Sequence, residues 1–400
     1  MDLRSGQAFW PIKNGLLGVY PPLEQDLICE VAVIGGGITG ALVAHYLVSV
    51  GIDTVVLDKR DIAKGSTSAS TALLQYEIDT HLVDLMGMVG EADAARAYRL
   101  CYQAIDQLEG LVCGLGEHCS FQRKTSLYLA SRPRDVRVLE AEARARRRIG
   151  LEVEFWPGGE VLERTGFSRP AALFSRQAAE MDPYRFTHQL LAEGQRKGLR
   201  VYDRTEVRGW EYRGEEVVLQ TNRESTVRAR RMVFAAGYES QQYLKQPLAR
   251  LKNTYALVSE PLPVDLGWLE QTLIWETARP YLYLRATQDR RVMVGGEDDP
   301  YLTLESRERR IPRKQRRLEQ RFAEIFPAIP LETAFSWGGT FGETKDGLAY
   351  IGESPEIPRA YFVLGYGGNG ITYSVVGAQI VRDLYLGREN PDRQVFRFER

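Results

Sequence analysis

Three glycines in one short run are the residues of this 400-residue chain whose spacing points most directly to chemistry. Gly35, Gly37 and Gly40 fit the pattern G-x-G-x-x-G. In such a run the first glycine permits a sharp turn, the second lets backbone approach a pyrophosphate, and the third lets a helix pack on a strand. The helix N-terminus, with Ile38 and Thr39, would direct free N–H groups toward phosphate. The run predicts a dinucleotide site.

The segments around these glycines support that prediction. The pattern predicts a buried strand over residues 30–34, a helix over 38–50 and a second strand over 54–57 that ends at Asp58. Strand, glycine turn, helix, strand and acid form a complete βαβ unit, in which Asp58 can accept hydrogen bonds from ribose hydroxyls. Lys59, the residue after Asp58, is a further candidate contact. Its cation could bind the phosphate of a phosphorylated ribose.

A second glycine loop lies near the C-terminus, over residues 365–372, and precedes a helical stretch. Its backbone N–H groups could face the pyrimidine end of an extended flavin, so FAD fits the two loops better than NAD. The candidate contacts of this loop are Gly367, Gly368, Asn369, Gly370, Ile371 and Thr372.

The rest of the chain predicts two architectures. We expect an Arg-rich helical stretch over 91–148, a helix that begins at Asp182 and Pro183, and an antiparallel sheet over 251–296. The fold class is therefore α/β, or α+β overall: a Rossmann-like FAD-binding domain with a second, mainly antiparallel β-sheet domain for the substrate. The predicted segments are 28–85, 178–245 and 335–391 for the FAD domain, 86–177 and 246–334 for the substrate domain, and 1–27 for an N-terminal extension.

Composition argues against several classes of protein. Lys and Arg total 52 against 53 Asp and Glu, for a net charge of -1, so nucleic acid is not expected as a partner. No apolar run approaches the roughly 18 residues of a membrane span, and the first residues lack the apolar core of a signal peptide, so we expect a cytoplasmic protein. The 4 cysteines and 4 histidines show no ligand spacing, so neither a metal site nor a disulfide framework is expected.

The order of the motifs resembles the D-amino acid oxidase superfamily of FAD-dependent oxidoreductases, which includes glycine oxidase, sarcosine oxidase and γ-glutamylputrescine oxidase-like enzymes. The resemblance covers nearly the whole chain. The matching pieces are residues 33–40, 65–70, 181–183, 234–237, 280–285, 295–296, 336–339 and 365–372. Beyond the glycine loops and Asp58, the resemblance implies FAD contacts at Ser66, Thr67, Ser70, Thr71, Val207, Ala236 and Gly237.

Two departures from the family pattern bear on chemistry. Glycine and D-amino acid oxidases carry an arginine that clamps the substrate carboxylate, and this sequence has Phe341 at that place. Simple α-amino acids are therefore not the expected substrates. Sarcosine oxidases attach flavin through a C-terminal cysteine, whereas the last cysteine here is Cys119, so we expect FAD to be non-covalent.

The resemblance implies an oxidation at a CH–NH bond, with hydride passing from a small amine or amino compound to flavin N5. Tyr281, Tyr283, Arg285 and Gln75 are the predicted catalytic residues. Arg285 or Arg279 could replace the missing clamp, and Gln75 or Glu77 could hold an ammonium. Oxidation at a CH–OH bond of a 2-hydroxyacid or glycerol 3-phosphate, and a non-catalytic flavin-holding subunit, stay open as alternatives. The electron acceptor, oxygen or another carrier, is also open.

Overall fold

Two β-sheets and the helices packed on them make up the computed structural model, which describes residues 3–364 and 367–400. The strands are β1 Arg4–Gly6, β2 Leu27–Ile34, β3 Thr54–Leu57, β4 Leu73–Gln75, β5 Gln122–Leu129, β6 Glu154–Pro157, β7 Ala171–Glu180, β8 Arg200–Tyr202, β9 Val207–Arg213, β10 Glu216–Thr221, β11 Thr226–Phe234, β12 Ala249–Ser259, β13 Thr272–Glu276, β14 Leu282–Ala286, β15 Val292–Pro300, β16 Thr333–Thr344, β17 Tyr350–Ser354 and β18 Ile357–Leu364. The helices are α1 Phe9–Asn14, α2 Ile38–Val48, α3 Ser66–Ala69, α4 Leu82–Val89, α5 Glu91–Gly114, α6 Asp135–Arg148, α7 Gly158–Thr165, α8 Pro183–Arg196, α9 Leu304–Ile325 and α10 Gly370–Tyr385. Short 3₁₀ turns cover Gly237–Tyr243, Gly267–Glu270 and Pro391–Gln394.

The first sheet has 8 strands in the order β17-β18-β11-β2-β3-β8, with β10 and β9 attached beside β11. Strands β18, β11, β2, β3 and β8 are parallel neighbours. Alternate side chains of β2 enter two hydrophobic cores, Val31 and Val33 on one face, Ala32 and Ile34 on the other. Burial on both faces explains the continuous apolar run that precedes the glycines. The predicted βαβ unit is confirmed as β2, α2 and β3.

The second sheet has 10 strands in the order β1-β16-β12-β15-β14-β13-β5-β7-β4, with β6 beside β7. Its pairings are antiparallel except that of β5 with β13, which is parallel. Helix α9 packs on β12, β15 and β16. The predicted combination of a Rossmann-like unit and a mainly antiparallel sheet is therefore confirmed.

The predicted helical stretch over 91–148 is wrong in its middle. Helices α5 and α6 are separated by β5, which pairs with both β7 and β13 inside the second sheet. Pairing with strands that are distant in sequence decides this segment, and an Arg-rich helical composition on either side concealed it.

The predicted division into domain segments stays a prediction. Strand β4 and all but the first two residues of β16 lie in segments assigned to the FAD domain, yet both strands pair within the ten-stranded sheet. Strand β1 of the predicted N-terminal extension pairs with β16 in the same sheet.

Candidate functional site

A long cavity extends from the eight-stranded sheet to the ten-stranded sheet. It is lined by the β2–α2 turn, the end of β3, α3, the start of β9, the turn after β11, parts of β14 and β16, and the loop before α10. It encloses about 2020 Å³, the open space at its mouth included. Its walls come from both sheets, so one extended ligand bound in it would contact both.

The glycine turn forms one wall of the cavity. Gly35 has φ 114°, and a Cβ there would lie 2.5 Å from the carbonyl oxygen of Ala235, so only glycine fits. A Cβ on Gly40 would lie 1.8 Å from the carbonyl oxygen of Gly35. Gly35, Gly37, Ile38 and Thr39 line the cavity, whereas Gly40 does not and serves helix packing instead.

Asp58 lines the cavity beside the glycine turn. Its carboxylate accepts hydrogen bonds from the backbone N–H of Gly36 at 2.6 Å and of Arg60 at 2.8 Å. Burial raises the pKa of Asp58 to about 6, although these hydrogen bonds oppose that shift.

Lys59 also lines the cavity, but its ammonium lies 2.8 Å from the carboxylate of Glu239, which also pairs with Arg60 at 2.8 Å. Burial would raise the pKa of Glu239, yet the two cations outweigh it and lower the pKa to about 2. The ammonium group of Lys59 is therefore already paired with the carboxylate of Glu239. Glu239 did not figure in the sequence predictions.

Four hydroxyl side chains follow the glycine turn in the cavity wall: Ser66, Thr67, Ser70 and Thr71. The hydroxyl oxygen of Thr67 accepts a hydrogen bond from the backbone N–H of Ile38 at 3.0 Å. The buried Oγ of Ser66 has no hydrogen-bond partner among the described residues. A buried polar atom without a partner calls for a ligand, and beside a helix N-terminus a phosphate oxygen fits.

The two ends of the predicted cofactor site face the same cavity. Val207, Ala236 and Gly237 line it at the end nearer Asp58, together with Glu206, Gln242 and Tyr243, which were not predicted. The residues of the C-terminal loop from Gly367 to Thr372 line it at the other end. Gly365 and Tyr366, which open the predicted loop, lie outside the described residues. The glycine turn, the four hydroxyl side chains and the C-terminal loop therefore line one cavity, as an extended FAD would require.

The C-terminal loop is fixed to the segment after β4. The backbone N–H of Gly368 donates to the Asp79 carboxylate at 2.7 Å, and the side-chain amide of Asn369 donates to the carbonyl of Glu77 at 2.8 Å. These bonds connect the second glycine loop to the part of the cavity that carries the predicted substrate residues.

Aromatic side chains dominate that part of the cavity, which we call the aromatic chamber. It contains Tyr281, Tyr283, Trp275, Tyr238 and Phe341, and Gln75 also lines it. The rings of Tyr281 and Tyr283 are 5.5 Å apart. Burial raises the pKa of Tyr283 to about 12, so its hydroxyl stays protonated at neutral pH. The structure therefore brings Tyr281, Tyr283, Gln75 and Phe341 together.

Arg285 is not brought into the chamber. Its guanidinium is buried, 3.0 Å from the Glu180 carboxylate and over the ring of Trp10, and it does not line the cavity. The side chains of Tyr283 and Arg285 lie on the same face of β14. Arg285 is two residues farther along the strand, and the cavity does not extend that far. Arg279 is exposed, and its guanidinium lies over the ring of Tyr281 at 5.1 Å.

Two carboxylates, Glu77 and Asp79, line the cavity near the aromatic chamber. Burial raises the pKa of both. Among the described lining residues, the basic ones are Lys59 and Arg60, near Asp58 and distant in the cavity from the chamber. Asp79 was missed in the sequence, although the alternation Gln75, Glu77, Asp79 was a signal for it.

The family model described as DAO, FAD dependent oxidoreductase, matches residues 30–384. The chain belongs to this family. It is 25% identical to glycine oxidase of Bacillus subtilis (strain 168) over 384 residues, which cover 93% of this chain and 97% of that protein. It is 21% identical to gamma-glutamylputrescine oxidoreductase of Escherichia coli (strain K12) over 389 residues, with 92% and 86% covered.

Solved structures of other proteins share the fold. The crystal structure of L-proline dehydrogenase from P. horikoshii superposes with a TM-score of 0.76 at 20% identity, covering 94% of this chain and 99% of that one. At this identity the likeness concerns the fold alone.

The described part of the chain contains no helix that is long and apolar enough to cross a membrane. Within residues 3–364 and 367–400, no group of three or more His, Cys, Asp or Glu side chains could hold a metal ion.

Proposed function

We propose that this FAD-dependent oxidoreductase transfers a hydride from a CH–NH bond of an amine or amino compound to the flavin. The observation that carries the proposal is the character of the aromatic chamber. It combines tyrosine hydroxyls with the nearby carboxyl groups of Glu77 and Asp79. Its described lining has no basic side chain to bind a substrate carboxylate. A cavity of this kind suits a cationic amine better than an anionic hydroxyacid.

Residues of the first sheet would hold the cofactor. The backbone N–H of Gly37 and the Ser66 hydroxyl would bind the pyrophosphate, and Asp58 would accept from ribose hydroxyls. The loop from Gly367 to Thr372 would present backbone N–H groups to the pyrimidine end. When bound, FAD supplies the two-electron acceptor that the side chains of this chain lack.

Residues of the second sheet would orient the substrate. Tyr281 and Tyr283 offer protonated hydroxyls as donors, because burial raises the pKa of each. Trp275 and Phe341 are mostly buried at 6% and 8% exposure and would exclude water from the reacting carbon. Gln75 adds an amide donor and acceptor at the same wall.

Non-covalent FAD is part of the proposal. All four cysteines, Cys29, Cys101, Cys113 and Cys119, are free, and none of them lines the cavity. Acid precipitation of the yellow protein should release all the flavin into the supernatant. Flavin that stays with the precipitate would refute this part. Free thiols also suit a cytoplasmic location, which cell fractionation would test.

Anaerobic mixing of the FAD-loaded protein with a panel of amines and hydroxyacids tests the reaction class. We expect loss of the flavin absorbance with amines and none with 2-hydroxyacids or glycerol 3-phosphate. Reduction by the hydroxy compounds alone would establish oxidation at a CH–OH bond instead. No reduction by either set would favour a non-catalytic flavin-holding subunit.

A further inference from the structure

A buried group of charges lies directly behind the cavity wall. It consists of Glu77, Glu142 and Arg146, which are 5%, 0% and 0% exposed, and we call it the buried charge cluster. Glu142 and Arg146 project from α6, whereas Glu77 follows β4 and also lines the cavity. Glu77 therefore lies between the fully buried ion pair of Glu142 and Arg146 and the part of the cavity near the aromatic chamber.

Glu142 already neutralises Arg146. Its carboxylate lies 2.8 Å from Nε of Arg146 and also accepts from the backbone N–H groups of Leu82 and Val83, at 2.8 and 3.1 Å. These contacts cap the N-terminus of α4 and fix the carboxylate in its ionised form. Burial would raise the pKa of Glu142, but the charge of Arg146 and these bonds outweigh it and lower the pKa.

Glu77 is paired less closely with Arg146 than Glu142 is. Its Oε1 lies 3.8 Å from Nη1 of Arg146, beyond hydrogen-bond distance, and its Oε2 has no hydrogen-bond partner among the described residues. With both carboxylates ionised, the cluster has two negative charges and one positive charge. A buried carboxylate without full compensation is costly, and burial raises the pKa of Glu77 accordingly, so ionised Glu77 calls for a further cation beside it.

We propose that Glu77 binds the ammonium group of the substrate and that the substrate is an aliphatic amine cation without a carboxylate beside that ammonium. This inference rests on the proposed amine oxidation and names its substrate class and its recognition residue. The ammonium supplies the positive charge that ionised Glu77 needs in its buried position.

The surroundings of Glu77 favour a cation and disfavour a carboxylate. Trp275 and the tyrosines line the same cavity, and aromatic rings attract ammonium groups. Asp79 adds a second carboxylate to the wall, and Phe341 offers no charge to an anion. A carboxylate next to the ammonium would meet the carboxyl groups of Glu77 and Asp79, with no basic residue in the described lining of the chamber.

The test compares three probes of equal chain length and different charge: n-hexylamine, 1-hexanol and hexanoate. Each is titrated anaerobically at pH 7 into the FAD-loaded protein, and binding is followed by the shift of the flavin absorption bands or by calorimetry. We expect n-hexylamine to bind at least tenfold more tightly than 1-hexanol and hexanoate to bind most weakly. Hexanoate binding equal to that of n-hexylamine would overturn the inference without any variant.

The variant Glu77→Gln removes the charge and keeps the size of the side chain. It should lose the preference for n-hexylamine over 1-hexanol, with affinity for the amine reduced about tenfold to hundredfold, while its FAD content is unchanged. Glu77→Asp should recover part of the preference. Glu140→Gln is the control, because Glu140 lies on α6 with Glu142 and Arg146 but forms an exposed pair with Arg144 at 2.9 Å.

The outcomes separate this inference from the proposed reaction. Glu77-dependent binding of n-hexylamine without flavin reduction by any amine would support the inference and contradict the proposed function. Flavin reduction by amines with unchanged affinity in Glu77→Gln would support the function and overturn the inference.

Discussion

The atom that most directly indicates a bound phosphate is the Oγ of Ser66, which is buried without a hydrogen-bond partner among the described residues. We predict that Ser66→Ala weakens FAD binding because the phosphate loses a donor. A hydrogen bond to a charged group contributes about 1.5–3 kcal/mol, so the Kd for FAD should rise roughly tenfold to hundredfold. Fluorescence titration of the FAD-free protein with FAD measures this change.

Ser68 provides the control for that prediction in the same helix. Its hydroxyl donates to the carbonyl oxygen of Gly65 at 2.9 Å, and Ser68 does not line the cavity. Ser68→Ala should lower the melting temperature slightly and leave the Kd for FAD unchanged. Equal effects of the two variants on FAD binding would contradict the assigned role of Ser66.

Phe341 lines the aromatic chamber at 8% exposure, where the family pattern has a carboxylate-binding arginine. We predict that glycine and D-alanine are poor substrates, because a charge-assisted pair that is missing from a buried site costs about 2–5 kcal/mol. Steady-state assays with both amino acids measure this, with the best amine found as the reference. Turnover of glycine as fast as that of the amine would show that another group binds the carboxylate.

Sequence reasoning found the residues whose roles are local. Gly35, Gly37, Asp58 and the two tyrosines line one cavity, and each was predictable because its role depends on a short motif or on strand alternation. Arg285 shows where this reasoning stops. Alternation places Arg285 on the correct face, but its pairing with Glu180 and its stacking on Trp10 depend on segments far away in sequence.

At the scale of elements, the contact between α2 and β2 depends on Gly40. A Cβ there would lie 1.8 Å from the carbonyl oxygen of Gly35, and backbone on both sides leaves little room for adjustment. We predict that Gly40→Ala destabilises the fold by at least 1–3 kcal/mol, the usual range for overpacking, and lowers FAD content. Thermal unfolding and the ratio of flavin to protein absorbance measure the two effects.

Gly87 in α4 is a suitable control because a Cβ there would meet nothing within 4 Å. Gly87→Ala should leave stability unchanged or raise it, since alanine is the better helix former. A loss of stability in Gly87→Ala equal to that in Gly40→Ala would remove the steric explanation.

Elements with local end signals were predictable. Helix α8 begins as expected, with Asp182 accepting from the backbone N–H of Arg185 at 2.9 Å and Pro183 in the first turn. Strand β5 was missed because its neighbours β7 and β13 lie about 50 and 150 residues farther along the chain. Nothing in the local pattern of Gln122–Leu129 specifies those partners.

At the scale of the whole molecule, the site depends on both sheets. The eight-stranded sheet supplies the glycine turn and Asp58, and the ten-stranded sheet supplies Trp275, Tyr283 and Phe341. The order of motifs along the chain was sufficient to predict this pair of architectures. It was not sufficient to place β16, whose pairing with β12 and β1 joins distant segments.

The central claim is that hydride leaves a carbon bonded to nitrogen. Its most direct test is the rate of anaerobic flavin reduction with the best amine substrate, compared with the same amine deuterated at the carbon next to nitrogen. If the C–H bond of the carbon next to nitrogen breaks in the reductive step, reduction should slow severalfold with the deuterated amine while its affinity is unchanged. Equal rates for the two amines, with reduction slowed only when a hydroxyl-bearing carbon is deuterated, would contradict the claim.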